Sequence, residues 1–316
     1  MKPKILLVAG PTAVGKTGYA IHLAKALDGE IVSADSMQIY KEMNVGSAKP
    51  TSEERALVPH HLIDLVDPRQ PISVAEYQIM AKEAIHDILS RGKFPIVSGG
   101  TGLYVNSLLY QMDFATVKED QAFRQELEQL AAAQGNTAVH EKLQAASPET
   151  AERIHPNNLK KVIRALEQIH LGNSRPKEFQ EIRQKPSEFH PILIGLTRER
   201  EELYRRIDQR VDQMMAQGLL EEVEGLKKLG LCTSDRSMMG IGYKELFWHL
   251  EGQISLKEAI EQIKQASRNY AKRQLTWFRA IPEMIWFDLT GKECPAGSEE
   301  ILHSIRNQRD LAEEKE

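Results

Sequence analysis

Eight residues near the N-terminus, Gly10-Pro11-Thr12-Ala13-Val14-Gly15-Lys16-Thr17, have the types and spacing of a phosphate-binding loop, G-x4-G-K-[ST]. Glycines let backbone N–H groups turn inward around phosphate oxygens. Lys16 adds a cationic point charge, and the Thr17 hydroxyl is placed to ligate a magnesium ion. A glycine-rich turn without a ligand is the bland alternative. The motif requires a strand before it and a helix after it, and the sequence supplies both. Residues 5–9, ILLVA, form a continuous apolar run of strand length, and Ala20, Leu23, Ala24 and Leu27 recur at helical spacing.

Two further turns follow apolar strand-like runs. Asp35-Ser36-Met37-Gln38 comes after residues 31–34, where a carboxylate can ligate magnesium through water, act as a general base, or simply cap a turn. Ser98-Gly99-Gly100-Thr101-Gly102 comes after residues 95–98, at the place where a Walker-B aspartate usually stands. Its glycines suggest close approach of a ligand, although Gly-Gly is also ordinary turn chemistry. With residues 192–196 and 285–287, five strands alternate with helices, which predicts an α/β fold: a P-loop core with an open parallel sheet flanked by helices. Ser73–Glu76 reads as a capping box opening a helix that runs to about Arg91.

Residues 118–172 carry no strand signal and read as helices, with Phe123, Leu127 and Leu130 on one and Leu159, Val162, Ile163, Leu166 and Ile169 on another. We therefore expect an inserted all-helical domain at 115–189, leaving 1–114 and 190–316 as the catalytic core. Asn157 and Asn158 are candidate caps for the second helix, and residues 175–186 form a polar exit.

The composition is that of a globular chain: 316 residues, formal net charge −4, 41% hydrophobic and 27% charged. Two cysteines exclude a disulfide framework and point to a reducing, cytoplasmic setting. The N-terminal apolar run is far too short for a spanning helix or a signal-peptide core, so neither membrane insertion nor secretion is expected. Any basic surface must be local.

In order along the chain, GPTAVGKT, DSMQIY, PHHLID, GGTGLY, RIDQRVDQM, IGYKE and YAKRQLTWFR resemble the bacterial tRNA dimethylallyltransferase family, and the likeness runs from Gly10 to Arg279. That family transfers a dimethylallyl group from dimethylallyl diphosphate to N6 of the adenosine just 3′ of the anticodon. Its substrates are tRNAs reading codons that begin with U, and it uses magnesium (Mg2+). The resemblance implies an inserted helical domain that grips the anticodon stem-loop, and a chain acting as a monomer. It implies that residues 10–17, a type of loop that elsewhere binds ATP, hold the diphosphate with Arg210 and with magnesium at Thr17. It assigns Asp35 to deprotonating the N6 amine, and Gln38 and Thr101 to the target nucleotide. Ser36, Met37, Phe123, Lys160, Lys161, Arg164, Gly242, Tyr243 and Lys244 match other tRNA-contacting positions. Val14 stands where a serine is common, and Met239-Gly240 where Gln-Ala is usual. No zinc finger follows Arg279.

Read from spacing alone, several of these residues have plainer roles. Arg206 and Arg210 lie one turn apart beside a core stripe of Leu203, Ile207, Val211 and Met214, where arginines are commonly solvated. Lys264, Arg268 and Lys272 make a positive helical stripe that suits a phosphate backbone, or a merely solvated face. Phe123 fits a helix core. His60-His61 read as structural or substrate-lining, since adjacent histidines rarely chelate one metal; Met214-Met215 and Met238-Met239 read as core filling. Two other function classes share the loop and sheet: a small-molecule P-loop kinase and a nucleotide-switched RNA-binding module.

Overall fold

The computed structural model describes residues 2–110, 112, 120–172 and 188–313. The expected polar exit at 175–186 and the expected boundary at 114/115 lie outside them. Two compact units result, Met1–Leu109 with Ser187–Glu316 and, separately, Tyr110–Pro186.

The elements run β1 (Lys4–Ala9), α1 (Lys16–Ala26), β2 (Gly29–Ser33), α2 (Ser52–Leu57), β3 (His60–His61), α3 (Val74–Ser90), β4 (Phe94–Gly99) and α4 (Gly102–Leu109). Helices α5 (Gln121–Gln134), α6 (Asn136–Ala146), α7 (Pro148–Arg153) and α8 (Leu159–His170) belong to the second unit. The chain then returns through β5 (His190–Thr197), α9 (Arg200–Ala216), α10 (Leu219–Lys228), a 3-10 turn at Ser237–Met239, α11 (Tyr243–Leu250), α12 (Leu256–Arg279), β6 (Ile285–Asp288) and α13 (Ser298–Glu313).

The sheet order is β3-β2-β4-β1-β5-β6, and every pairing is parallel. β1 is central, and Ile5 through Ala9 are fully buried, as an unbroken apolar run on a sheet covered on both faces must be. Five of the six strands follow the sequence expectation. The sixth, β3, pairs His60 and His61 with Ile31 and Val32 at one edge. Two residues are too few to show any periodicity. His61 Nε2 lies 2.7 Å from Glu30 Oε2, and the Arg91 guanidinium also grips Glu30, pulling that carboxyl down to about pKa 2. The histidine pair therefore closes the sheet edge, and His60 also lines a small cavity, so both parts of the structural or substrate-lining expectation remain open.

α3 opens with the predicted capping box: Ser73 Oγ accepts from the Glu76 N–H at 3.2 Å and Glu76 accepts from the Ser73 N–H at 2.7 Å. In the second unit Leu127, Val139, Leu143, Val162, Ile163 and Leu166 form a separate core. Asn158 occupies the cap position of α8, but its side chain makes no capping bond. Glu167 of α8, fully buried, ties that helix to the start of α5. It accepts from the Asp120 N–H and from both Arg124 and Arg164. Among the described residues no helix is long and apolar enough to cross a membrane.

Candidate active site

The loop of residues 10–17 leaves β1 and enters α1 at Gly15, whose φ of 110° is costly for any side chain bearing a Cβ. Lys16 Nζ folds back to donate to the Gly10 carbonyl at 3.0 Å and the Pro11 carbonyl at 2.8 Å. Burial, reinforced by the Arg210 charge and opposed by Asp35, brings the Lys16 ammonium down to about pKa 7. Lys16, Arg210 and Asp35 thus feel one another's charges, and burial also lowers the Arg210 pKa while Asp35 opposes it.

Two arginines brace the loop from behind. Arg198, only 4% exposed, donates through Nε to the Val14 carbonyl at 3.0 Å and through its other nitrogens to the carbonyls of Leu289 and Lys292. Arg206 donates to the Ala13 carbonyl at 3.0 Å and ion-pairs with Glu293. On α9 Leu203, Ile207 and Val211 are buried as expected, but Met214 is only half-buried. Instead it lines a groove of about 670 Å³ with Gly15, Lys49, Arg55, Arg206 and Arg210. Met239 likewise departs from the core-filling expectation, at 50% exposure, whereas Met238 is fully buried.

The second turn is fastened to the turn after β4 through Ser36 and Thr101. Asp35 Oδ1 accepts from the Met37 N–H at 2.9 Å and the Gln38 N–H at 3.4 Å, which closes an Asx turn. Its other oxygen makes no hydrogen bond among the described residues. A cavity of about 40 Å³ is lined by Lys16, Thr17, Asp35, Gln38 and His60 among others, so the carboxylate and the loop cation share one space. Thr101 Oγ1 accepts from the Ser36 N–H at 3.0 Å. Gln38 is held at both ends of its amide: Ser33 Oγ donates to its oxygen at 2.9 Å, and its nitrogen donates to the Ala48 carbonyl at 3.2 Å.

That carbonyl is placed by a carboxylate remote in sequence. Glu222 of α10 accepts from the N–H groups of Asn44 and Val45, both at 2.7 Å, and of Gly46 at 3.1 Å. Tyr243 adds its hydroxyl at 2.8 Å, with its ring packed where a Gly46 Cβ would stand. Tyr243 is fully buried, and burial beside Glu222 raises its phenol well above the usual range, so it stays a donor. Among the three matched residues of the Ile-Gly-Tyr-Lys segment, Gly242 caps α11 at φ 99°, Tyr243 locks this loop, and Lys244 lies over the Trp248 ring. Met37 packs against Gly240, and a Cβ there would press on the Met37 methyl.

At the glycine-rich turn after β4, helix α12 packs against two of the glycines. A Cβ on Gly100 would stand 2.1 Å from Gln274 Nε2, and one on Gly102 2.3 Å from the Trp277 ring. At these two positions the close approach is made by side chains of α12, while Ser98 and Gly99 of the same turn line the small cavity with Lys16 and Asp35. Gln274 also receives the Thr12 N–H at 2.8 Å, and Tyr270, one turn earlier, lies beside Thr101.

The basic stripe of α12 runs along α9, with Lys272 still exposed. Lys264 pairs with Asp212 at 2.7 Å, Arg268 pairs with Asp208, and Lys272 lies over the Tyr204 ring, so the stripe is a seam with α9. In the second unit Lys160 and Lys161 are exposed, whereas Arg164 is committed to Glu167. Phe123 stacks on His170 with ring centroids 4.2 Å apart, at the edge of the local core.

Among the described residues no three metal-ligating side chains cluster. The Thr17 hydroxyl makes no hydrogen bond there and shares the small cavity with Asp35. One hydroxyl and one carboxylate fit a magnesium ion that takes its other ligands from water and phosphate oxygens, as this cation commonly does.

Sequence reasoning missed Arg198, Glu222 and the bridging role of Gln274. A lone arginine straight after an apolar strand was the only local signal for the first. The other two act across 176 and 262 residues of chain and leave no local pattern.

A model of the IPP transferase family matches residues 38–281. The tRNA dimethylallyltransferase of Geobacillus thermodenitrificans is 52% identical over 293 residues, covering 93% of each chain. The full-length tRNA isopentenylpyrophosphate transferase of Bacillus halodurans superposes with a TM-score of 0.74 at 42% identity, over 99% of this chain and 100% of that one. A eukaryotic dimethylallyltransferase captured acting on tRNA reaches a TM-score of 0.81 at 27% identity, over 99% of this chain and 80% of that one. A P-loop α/β transferase fold carrying a helical unit is thus shared across this set. The chain belongs to the IPP transferase family.

Proposed function

We propose that the chain transfers a dimethylallyl group from dimethylallyl diphosphate to N6 of the adenosine immediately 3′ of the anticodon, in tRNAs that read codons starting with U. The products are N6-(dimethylallyl)adenosine and diphosphate. The observation that carries the reading is the convergence of Asp35, Lys16 and Thr17 on one cavity, with the Arg210 charge close by.

In this reading the exocyclic nitrogen attacks the allylic carbon while the carbon–oxygen bond to diphosphate breaks. The developing negative charge falls to the backbone N–H groups of Gly15, Lys16 and Thr17 where the loop enters α1, to the Lys16 side chain and to Arg210, donors already fixed before reaction. Binding a diphosphate beside Lys16 favours its ammonium form, so the lysine gains its charge where the leaving group needs it. Asp35 takes the proton released by the amine through the oxygen its Asx turn leaves free of hydrogen bonds. Magnesium at Thr17, when bound, neutralises part of the diphosphate charge. Gln38 and Thr101, both locked by internal hydrogen bonds, present a rigid wall to the target base, which must leave its stack to expose N6.

Lys160, Lys161 and Phe123 are proposed tRNA contacts of the helical unit. Arg164 supports them by holding Glu167. The protein works as a monomer in the cytoplasm, where its tRNA substrates are. The test incubates the protein with unmodified tRNA and dimethylallyl diphosphate labelled in the allyl group. Label recovered on the adenosine 3′ of the anticodon is the expected result; label elsewhere, or none on RNA, refutes the reading.

A further inference from the structure

We infer that Gln274 is a positioning residue for this transfer, an inference that rests on the proposed function. Its side-chain amide ties the phosphate loop to the turn carrying Thr101, and so sets the spacing between donor diphosphate and acceptor amine.

β1 and β4 run side by side, and their ladder ends at the pair Ala9 and Gly99. Beyond it both strands open into the turns that form the site, and no further rung joins the two backbones. Gln274 supplies the missing rung. Its Oε1 accepts from the Thr12 N–H at 2.8 Å, and its Nε2 donates to the Gly100 carbonyl at 2.9 Å. One partner is only a donor and the other only an acceptor, so a primary amide in a single orientation satisfies both. A carboxylate would serve Thr12 but set its lone pairs against the Gly100 oxygen. A thioether would serve neither.

The amide cannot swing away. Gln274 is 5% exposed, and a Cβ on Gly100 would stand 2.1 Å from Nε2, so the turn has closed onto the amide as tightly as glycine allows. The contact is also in register. Tyr270, Gln274 and Trp277 lie at i, i+4 and i+7 on one face of α12, and they meet Thr101, Gly100 and Gly102 respectively. One helical face therefore covers the whole turn, with Tyr270 beside Thr101 and Gln274 holding the backbone against the phosphate loop. Lys16 Nζ lies 3.7 Å from the same Gly100 Cβ position, which places the rung beside the diphosphate cation. Slack in it moves the two reacting groups apart while leaving every residue that touches them in place.

The experiment uses the full chain, unmodified tRNA, magnesium and labelled dimethylallyl diphosphate, with Gln274→Met and Gln274→Glu beside the wild type. For Gln274→Met we expect the single-turnover rate at saturation to fall about 10–100-fold, because a misplacement near 1 Å costs about that much. The KM for dimethylallyl diphosphate rises about tenfold, and the tRNA Kd stays within about threefold. Gln274→Glu raises that KM further, because its carboxylate competes for Lys16. A residue that merely supports folding lowers the active fraction and leaves KM unchanged, so an unchanged KM in both variants overturns the inference. Should Gln274→Met not fold, the KM of Gln274→Glu alone decides. A wild type that transfers no label defeats the proposed function instead, and does so before any variant is compared.

Discussion

Replacing Glu222 by alanine removes the partner of four donors at once. The Asn44 N–H is exposed and finds water, so its loss costs little. The Val45 and Gly46 N–H groups and the Tyr243 hydroxyl are partly or wholly enclosed, at 2.7, 3.1 and 2.8 Å from the carboxylate. Hydrogen bonds to a charged group contribute about 1.5–3 kcal/mol each, but three bonds to one partner are not additive, and a net loss of about 3 kcal/mol is the working figure. For a unit of this size that corresponds to a fall in Tm of roughly 6–12 °C. The loop then no longer presents the Ala48 carbonyl to Gln38, so the transfer rate falls as well, measured below the new Tm. Tyr243→Phe keeps the ring against Gly46 and removes one donor, and costs about half as much. Thermal melts followed by circular dichroism, with single-turnover transfer on the same samples, read both effects. If Glu222→Ala melts within about 1 °C of the wild type and keeps its rate, the carboxylate does not organise this loop.

Asp35→Asn keeps shape and part of the turn but cannot accept a proton, so single-turnover transfer drops by about 10²–10⁴-fold with tRNA affinity nearly unchanged. Near-normal single-turnover rates would remove Asp35 from the base role. Lys160→Ala combined with Lys161→Ala weakens tRNA binding and lowers the slope of log K against log salt by about 0.7–0.9 for each phosphate the protein no longer neutralises. An unchanged slope would show both lysines to be solvated. Glu30, held to about pKa 2 by Arg91 and His61, contributes stability that is complete above its unfolded pKa near 4.5 and is lost as the pH falls toward 2. Urea midpoints of Glu30→Gln against wild type therefore converge below pH 4, and a constant gap from pH 6 to 3 would contradict this.

What the sequence displays locally, the fold follows: the phosphate loop between its strand and helix, the long buried strands, and the capping box of α3. In each case a short stretch carries its own physical instruction, such as an apolar run, a glycine at positive φ, or Ser three residues before Glu. The edge strand β3 was illegible because two residues have no period. The glycines at 100 and 102 were legible as close approaches, but the part played by α12 was not, because a close approach looks the same in sequence whether a ligand or a helix approaches. The stripe Lys264, Arg268 and Lys272 read as either a phosphate-binding or a solvated face because the partners of its first two residues, Asp212 and Asp208, sit on another helix. Glu222 and Gln274 were invisible for the same reason, since their partners come from distant turns.

The central claim is that the phosphate loop holds a leaving diphosphate rather than the β- and γ-phosphates of a phosphoryl donor. The most direct measurement gives the protein unmodified tRNA, magnesium and two labelled compounds in parallel reactions, dimethylallyl diphosphate labelled in the allyl group and ATP labelled in the γ-phosphate. The account predicts that the allyl label reaches tRNA without ATP, that ATP only competes, and that Lys16→Ala abolishes the transfer. Passage of the γ-phosphate to an acceptor, with no allyl label on tRNA, would contradict it.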